Sequence, residues 1–367
     1  MFQKCLILFL TISVLFSCKK RKTEEADVDA FDRTTMLTSY SDDIIQPSLL
    51  DFKTTSDSLY NAVLVFTQNP TPNTLDSAQA KLRTAAISWQ YCSAFRIGPI
   101  QNHFGSLDDG AKREDYINTF PADVSIIEKF ISLNNSNLKD IDFPSKGLNA
   151  IDYLLNTLDN NDSSVVSKFV TSNSRKEYLK TLALDIKTRA SNAHSSWQSF
   201  RGEFISNNGT SASSSVSTLI MQFIIDYETL KNLEIGFPVG RILTTSTLTA
   251  TPEKAQFYYM GNSLELAMHH LLAIEKTWYG KDGKGLKLYL ESADGGKETA
   301  EATVAQINKV KEKFALIPNE RLSTLVATNK QPVSDYYTEI LKLTHFFKSD
   351  MPSRLGIYIT YASGDGD

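Results

Sequence analysis

Apolar residues recur at spacings of three and four along most of the chain, the period that puts one buried stripe on a helix. Leu264, Ala267, Leu271, Ile274 and Trp278 form one such stripe. Leu179, Leu182, Ile186, Ala190, Ala193, Trp197 and Phe200 form another, over residues 175–204. Leu59, Val63 and Phe66 mark a third helix at 56–68, which extends back past Pro47 to about residue 36. A kink is expected at Pro47, because proline removes one backbone hydrogen bond of a helix. Further helices fit 75–95, 215–233, 298–314 and 332–347, and strand-like alternation is confined to 355–360. Long helices joined by polar loops predict an all-α fold built from packed helical bundles. Residues 207–215, a run of Asn, Gly, Thr, Ala and Ser, are the clearest break, since small polar residues favour turns over a core. The expected organisation is a first bundle at 36–206, a linker at 207–215 and a second bundle at 216–367, with a cleft between the two.

The chain opens on Met1-Phe2-Gln3-Lys4, followed by an apolar run from Cys5 to Phe16 broken only by Thr11 and Ser13. A basic start and a dozen apolar residues are the layout of a signal peptide, and the run is shorter than the roughly 20 residues that span a bilayer. Leu15-Phe16-Ser17-Cys18 has the order of a lipoprotein cleavage site, so residues 1–17 are expected to be removed. The Cys18 thiol is the nucleophile that accepts the lipid, and acyl chains in sufficient number hold a protein on a membrane stably. Residues 18–35 carry Lys19, Lys20, Arg21 and Lys22, then Glu24, Glu25, Asp27 and Asp29, with few apolar positions. That composition predicts a disordered tether. An exported chain meets no nucleic acid, so the basic cluster is read as solvated. Lys19, where an Asp would favour inner-membrane retention, points to the outer membrane of a Gram-negative bacterium. Either its periplasmic or its outer face fits.

Removing the signal leaves about 350 residues, enough for one large or two ordinary domains. The formal charge of −4 becomes −5 once Lys4 is lost, which singles out no partner class. Of the three cysteines, Cys5 leaves with the signal and Cys18 takes the lipid, so Cys92 has no disulfide partner within the chain. Packed cores must therefore supply the stability.

Common catalytic motifs are absent: no His-Glu-x-x-His, no Gly-x-Ser-x-Gly, no phosphate-cradling glycine loop and no Cys-x-x-Cys. The histidines are His103, His194, His269, His270 and His345. Glu265 and His269 stand four apart on one helix and could reach one metal ion, although a helix surface carries such pairs without any ligand. Gly364-Asp365-Gly366-Asp367 is acidic but lacks the spaced oxygen ligands of a calcium loop, so it reads as a solvated tail.

One segment differs. Pro144-Ser145-Lys146-Gly147-Leu148-Asn149-Ala150-Ile151-Asp152-Tyr153-Leu154-Leu155 starts as a turn and becomes a helix, with Asn149 and Asp152 on one face. It resembles the signature of the imelysin family, Gly-x-His-x-x-Glu followed by Tyr-Leu-Leu. Other stretches are similar to that family in the same order: 36–47, Trp89 through Phe95-Arg96-Ile97-Gly98-Pro99, Gly236-Phe237-Pro238-Val239-Gly240-Arg241, Gly261-Asn262-Ser263-Leu264, and the chain end from Leu355. The resemblance implies a two-domain helical fold with the signature near the domain interface. It also implies a role in bacterial iron uptake and a place among metallopeptidases.

Within the signature Gly147 matches, whereas Asn149 stands for the family His and Asp152 for the family Glu. An amide oxygen is a poor ligand for metals that imidazole suits. Asp in place of Glu keeps the charge but shortens the reach by about 1.5 Å. As cap-type residues, both also suit plain hydrogen bonding at a helix start. Arg241, Ser263 and Glu265, in the second-half segments that resemble the family, are the candidate residues facing Asn149 and Asp152 across the cleft. Three readings follow. The preferred one is a lipid-anchored, non-catalytic binding protein in iron acquisition, holding iron or another divalent metal weakly and serving an outer-membrane transport receptor. The others are a metallopeptidase with an atypical site and a scaffold lipoprotein that has lost its ligand.

Overall fold

The computed structural model describes residues 31–107, 114–242 and 249–358. The expected signal peptide, Cys18, the tether up to residue 30 and the acidic tail lie outside the described residues. Among the described residues the secondary structure is helical and contains no strand. Leu355 closes the helix Met351–Leu355, and Gly356 follows with φ +64°, so the described part of the 355–360 strand candidate is a helix end.

In chain order the framework comprises α1 (Arg33–Ser39), α2 (Gln46–Gln68), α3 (Pro72–Gln90), α4 (Gly147–Leu155) and α5 (Asn173–Ser206). It continues with α6 (Ser215–Glu228), α7 (Ser263–Tyr279), α8 (Gly296–Phe314) and α9 (Gln331–Thr344). Local chemistry sets several starts. Asp32 accepts the Thr35 N–H ahead of α1, Thr71 and Thr74 form a reciprocal capping box ahead of α3, and Ser172 and Ser214 cap α5 and α6. The helix expected at 75–95 stops at Gln90, where Tyr91, Cys92 and Ser93 turn back onto Ser88 and Trp89.

The kink expected at Pro47 takes another form. A widened π-helical turn, Tyr40–Ile45, joins α1 to α2, and the Gln46 N–H reaches back to Ser41 O. The same device recurs at Thr229–Gly236 before Pro238 and at His345–Asp350 before Pro352. Each proline has no N–H to donate, and each helix adds a residue to the turn before it instead of breaking. This is why the helices expected at 215–233 and 332–347 change geometry before their ends.

The loop between α5 and α6 falls where the sequence breaks. It is fastened to α1: Arg33 Nε donates to Asn208 O at 2.7 Å and Asn208 Nδ2 donates to Thr34 Oγ1 at 2.7 Å. One continuous apolar core runs through helices from both sides of this loop, with Trp89, Trp197 and Trp278 all inside it. Tyr40 shows the mixing, since its hydroxyl donates to Thr277 O at 2.5 Å and accepts the Leu286 N–H at 2.8 Å.

Candidate functional site

The signature segment begins where two backbones nearly touch. Gly147 has φ +76°, and a Cβ there would lie 2.5 Å from Ile117 O. The next residue, Leu148, donates its N–H to that same carbonyl at 2.7 Å. Only glycine fits both the left-handed backbone and the contact.

α4 is buried on nearly every face, and Asn149 and Asp152 are 3% and 1% exposed. Asn149 Nδ2 donates to Asn118 Oδ1 at 2.8 Å, and its Oδ1 accepts the Phe257 N–H at 2.7 Å. Asp152 accepts the N–H of Tyr259 at 3.0 Å, that of Met260 at 2.9 Å and Asn156 Nδ2 at 3.1 Å. Two side chains of the first half thus hold three backbone amides of the second. Burial pushes the Asp152 carboxyl up to about 7, against these donors and the nearby Arg321 cation.

The clamped segment is held from other sides as well. Arg321 donates to Tyr259 O at 3.0 Å and to Asn160 Oδ1 at 2.6 Å, and its guanidinium fills the space beside Gly261. Ser263 Oγ donates to Gln256 O at 2.5 Å. Behind Asn149 a polar chain runs back into the first half. Asn118 Nδ2 donates to Gln256 Oε1 at 3.1 Å, and Asp115 Oδ1 accepts the N–H groups of Ile117 and Asn118, each at 2.9 Å. Asp115 Oδ2 pairs with Arg96 at 3.0 Å in the interior.

A cavity of about 240 Å³ opens beside this clamp, lined by Asn149, Asp152, Glu253, Tyr258 and Tyr259 and closed by Pro121, Ala122 and Ala255. The Asn149 and Asp152 oxygens that a metal ion would need already accept the amides of Phe257, Tyr259 and Met260, so an ion there would compete with the bonds that hold this segment. Among the described residues no group of three His, Cys, Asp or Glu side chains is placed to hold an ion. Asn149 and Asp152 therefore do not fit a metal centre as they stand.

The remaining sequence candidates scatter. Ser263 joins the clamp through Gln256. Arg241 lies over the Tyr337 ring, 5.2 Å from its centroid, and does not line the cavity. Glu265 forms a bidentate pair with Arg83 and accepts from Asn262 at 3.2 Å. Partial burial would raise its carboxyl, but these partners hold it below its ordinary value. His269 Nδ1 faces the Tyr91 hydroxyl at 3.0 Å, so each member of the Glu265–His269 pair is drawn to its own residue of the first half. The strongest charge cluster is one residue further on. His270 is 1% exposed, with Nε2 2.9 Å from Asp226 Oδ2 and Nδ1 2.9 Å from Glu234 Oε1. Burial lowers its pKa, but the two carboxylates outweigh burial and raise it to about 10. Nδ1 is hydrogen-bonded to Glu234 and Nε2 faces Asp226 as an ion pair, and a ring protonated on both nitrogens has no lone pair for a metal.

Of the residues that build the clamp, sequence reading passed over Asp115, Asn118, Gln256 and Arg321. Arg96 was visible as part of a family-like segment; the others carry no spacing signal, because their partners are backbone atoms and distant side chains.

A wholly helical core with a glycine-led helix clamping a distant loop places this chain among imelysin-like folds. An imelysin-like protein from Psychrobacter arcticum 273-4 superposes with a TM-score of 0.68 at 17% identity, covering 90% of this chain and 97% of that one. A proposed iron-regulated protein A precursor from Parabacteroides distasonis ATCC 8503 gives a TM-score of 0.68 at 16% identity, covering 88% and 95%. The chain belongs to the Imelysin family (peptidase M75), whose model matches residues 45–343. No curated protein sequence matches it.

Proposed function

We propose that this chain is a lipid-anchored, non-catalytic binding protein of the imelysin type that serves iron acquisition. The observation that carries the reading is the state of the signature. Asn149 and Asp152 line a cavity, yet their acceptor oxygens are tied to the amides of Phe257, Tyr259 and Met260. A hydrolytic metal is ordinarily held by three protein ligands beside an open position, and these two side chains supply oxygens already engaged by amides and no imidazole. A ligand in the cavity meets Glu253, Tyr258 and Tyr259 instead. The iron role draws on the family and on the iron-regulated precursor with the same fold. Anchoring rests on Leu15-Phe16-Ser17-Cys18, and an outer-membrane transport receptor is the partner class that such a role calls for.

Metal content, chelator-controlled calorimetry and peptidase activity, measured side by side, test the reading. The unmodified protein binds iron and other divalent metals weakly and cleaves no peptide. Asn149→His, alone or with Asp152→Glu, strengthens metal binding by about tenfold or more, the scale on which ligand-shell changes act. Metal-dependent proteolysis abolished by Asp152→Ala would put the metallopeptidase reading first.

A further inference from the structure

A second cavity, of about 270 Å³, shares Pro121 with the signature cavity but contains neither Asn149 nor Asp152. Its walls are apolar: Phe120, Pro121, Leu233 and Phe237. Such a volume accommodates a fused-ring system, and the lining is the mixture of apolar walls and few polar groups that small-molecule sites share.

The polar groups on its wall differ in one respect. Asn118 is bonded to both Asn149 and Gln256, and Thr119 Oγ1 donates to Asp115 O at 2.7 Å. Lys254 has no such partner. It is half-buried at the end of the turn Pro252–Lys254, and its ammonium lies 5.7 Å from the centroid of the Phe237 ring. Among the described residues no carboxylate lies within ion-pair distance of it and no acceptor takes its protons. A half-buried ammonium on the cavity wall without a counter-charge leaves a place for an anion, which would meet it in a charge-assisted hydrogen bond. Gln256, bonded to Asn118 of the wall, also has a buried Nε2 without an acceptor.

We infer that this cavity is a separate subsite for a ring-sized apolar molecule bearing a carboxylate. The ring packs against Phe120, Pro121, Leu233 and Phe237, and the carboxylate sits on Lys254. Neighbouring Glu253 turns to the signature cavity instead, so one turn offers opposite charges to the two cavities. The subsite does not depend on the iron reading, on membrane attachment or on the signature side chains.

Equilibrium dialysis of the full chain with 2-naphthoate and its neutral isostere 2-naphthamide tests the assignment. The carboxylate binds about tenfold tighter than the amide, the scale of one charged hydrogen bond. Lys254→Gln reduces that preference to about twofold or less, Lys254→Arg keeps it, and Leu233→Trp, which fills the cavity, weakens both probes about tenfold. Equal binding of the two probes to the wild-type chain would overturn the assignment. So would a carboxylate preference that survives Lys254→Gln, or no saturable binding at millimolar probe. Metal content and lipid attachment do not enter the measurement, so failure of this inference is distinct from failure of the proposed function.

Discussion

Replacing His270 by leucine removes the cation that pairs with both Asp226 and Glu234, which are themselves buried. The ordinary imidazole value of 6.5 rises to about 10 here, burial pulling it down and the two carboxylates more than reversing that. Breaking a buried ion pair by removing one partner typically costs about 3–5 kcal/mol, because it leaves an uncompensated charge in the interior. The sign follows from the direction of the shift. The folded state binds this proton more tightly, so the stabilisation is complete below pH 6.5 and fades as pH rises through about 10. Urea unfolding followed by circular dichroism from about pH 6 to about pH 10 reads both effects. His270→Leu is expected to lose about 3–5 kcal/mol at the acid end of that range and to show a shallower alkaline decline than the wild type. Lysines titrate in both proteins, and the difference between them isolates His270. A loss under about 1 kcal/mol at low pH would refute the buried ion-pair argument, and so would identical alkaline slopes.

Asp152→Ala should free the amides of Tyr259 and Met260, which would then exchange hydrogen faster than in the wild type, and should cost about 1–3 kcal/mol for the buried donors left without an acceptor. Burial lifts the Asp152 carboxyl from 3.8 to about 7, so wild-type stability falls as pH rises through that window; the pH profile of Asp152→Asn should lack that component. Gly147→Ala forces a Cβ against Ile117 O in a left-handed backbone and should lower the unfolding free energy by more than about 1 kcal/mol, as thermal melts would show. Cys18→Ala should abolish incorporation of a palmitate analogue and leave the chain off membranes or unprocessed; equal labelling of both proteins would rule out the lipid.

What could be read from the chain alone was what depends on near neighbours. The stripe from Leu264 to Trp278 became α7 and the stripe from Leu179 became α5, because helical period and end-capping are settled within a few residues. Pro47 announced an irregularity for the same reason, and Gly147 stood out within its family-like segment. The site was less legible. Asn149 and Asp152 could be named, but their partners are backbone amides more than a hundred residues away, and a backbone amide has no letter in a sequence. Glu265 and His269 share a helical face, yet packing of α7 on α3 supplied Arg83 to one and Tyr91 to the other. The neighbouring His270 looked no different in sequence; only the approach of Asp226 and Glu234 made it a buried imidazolium. Local periodicity determined which segments are helices, while the chemistry of each polar side chain was decided by what the tertiary fold brought within about 3 Å of it, the reach of a hydrogen bond.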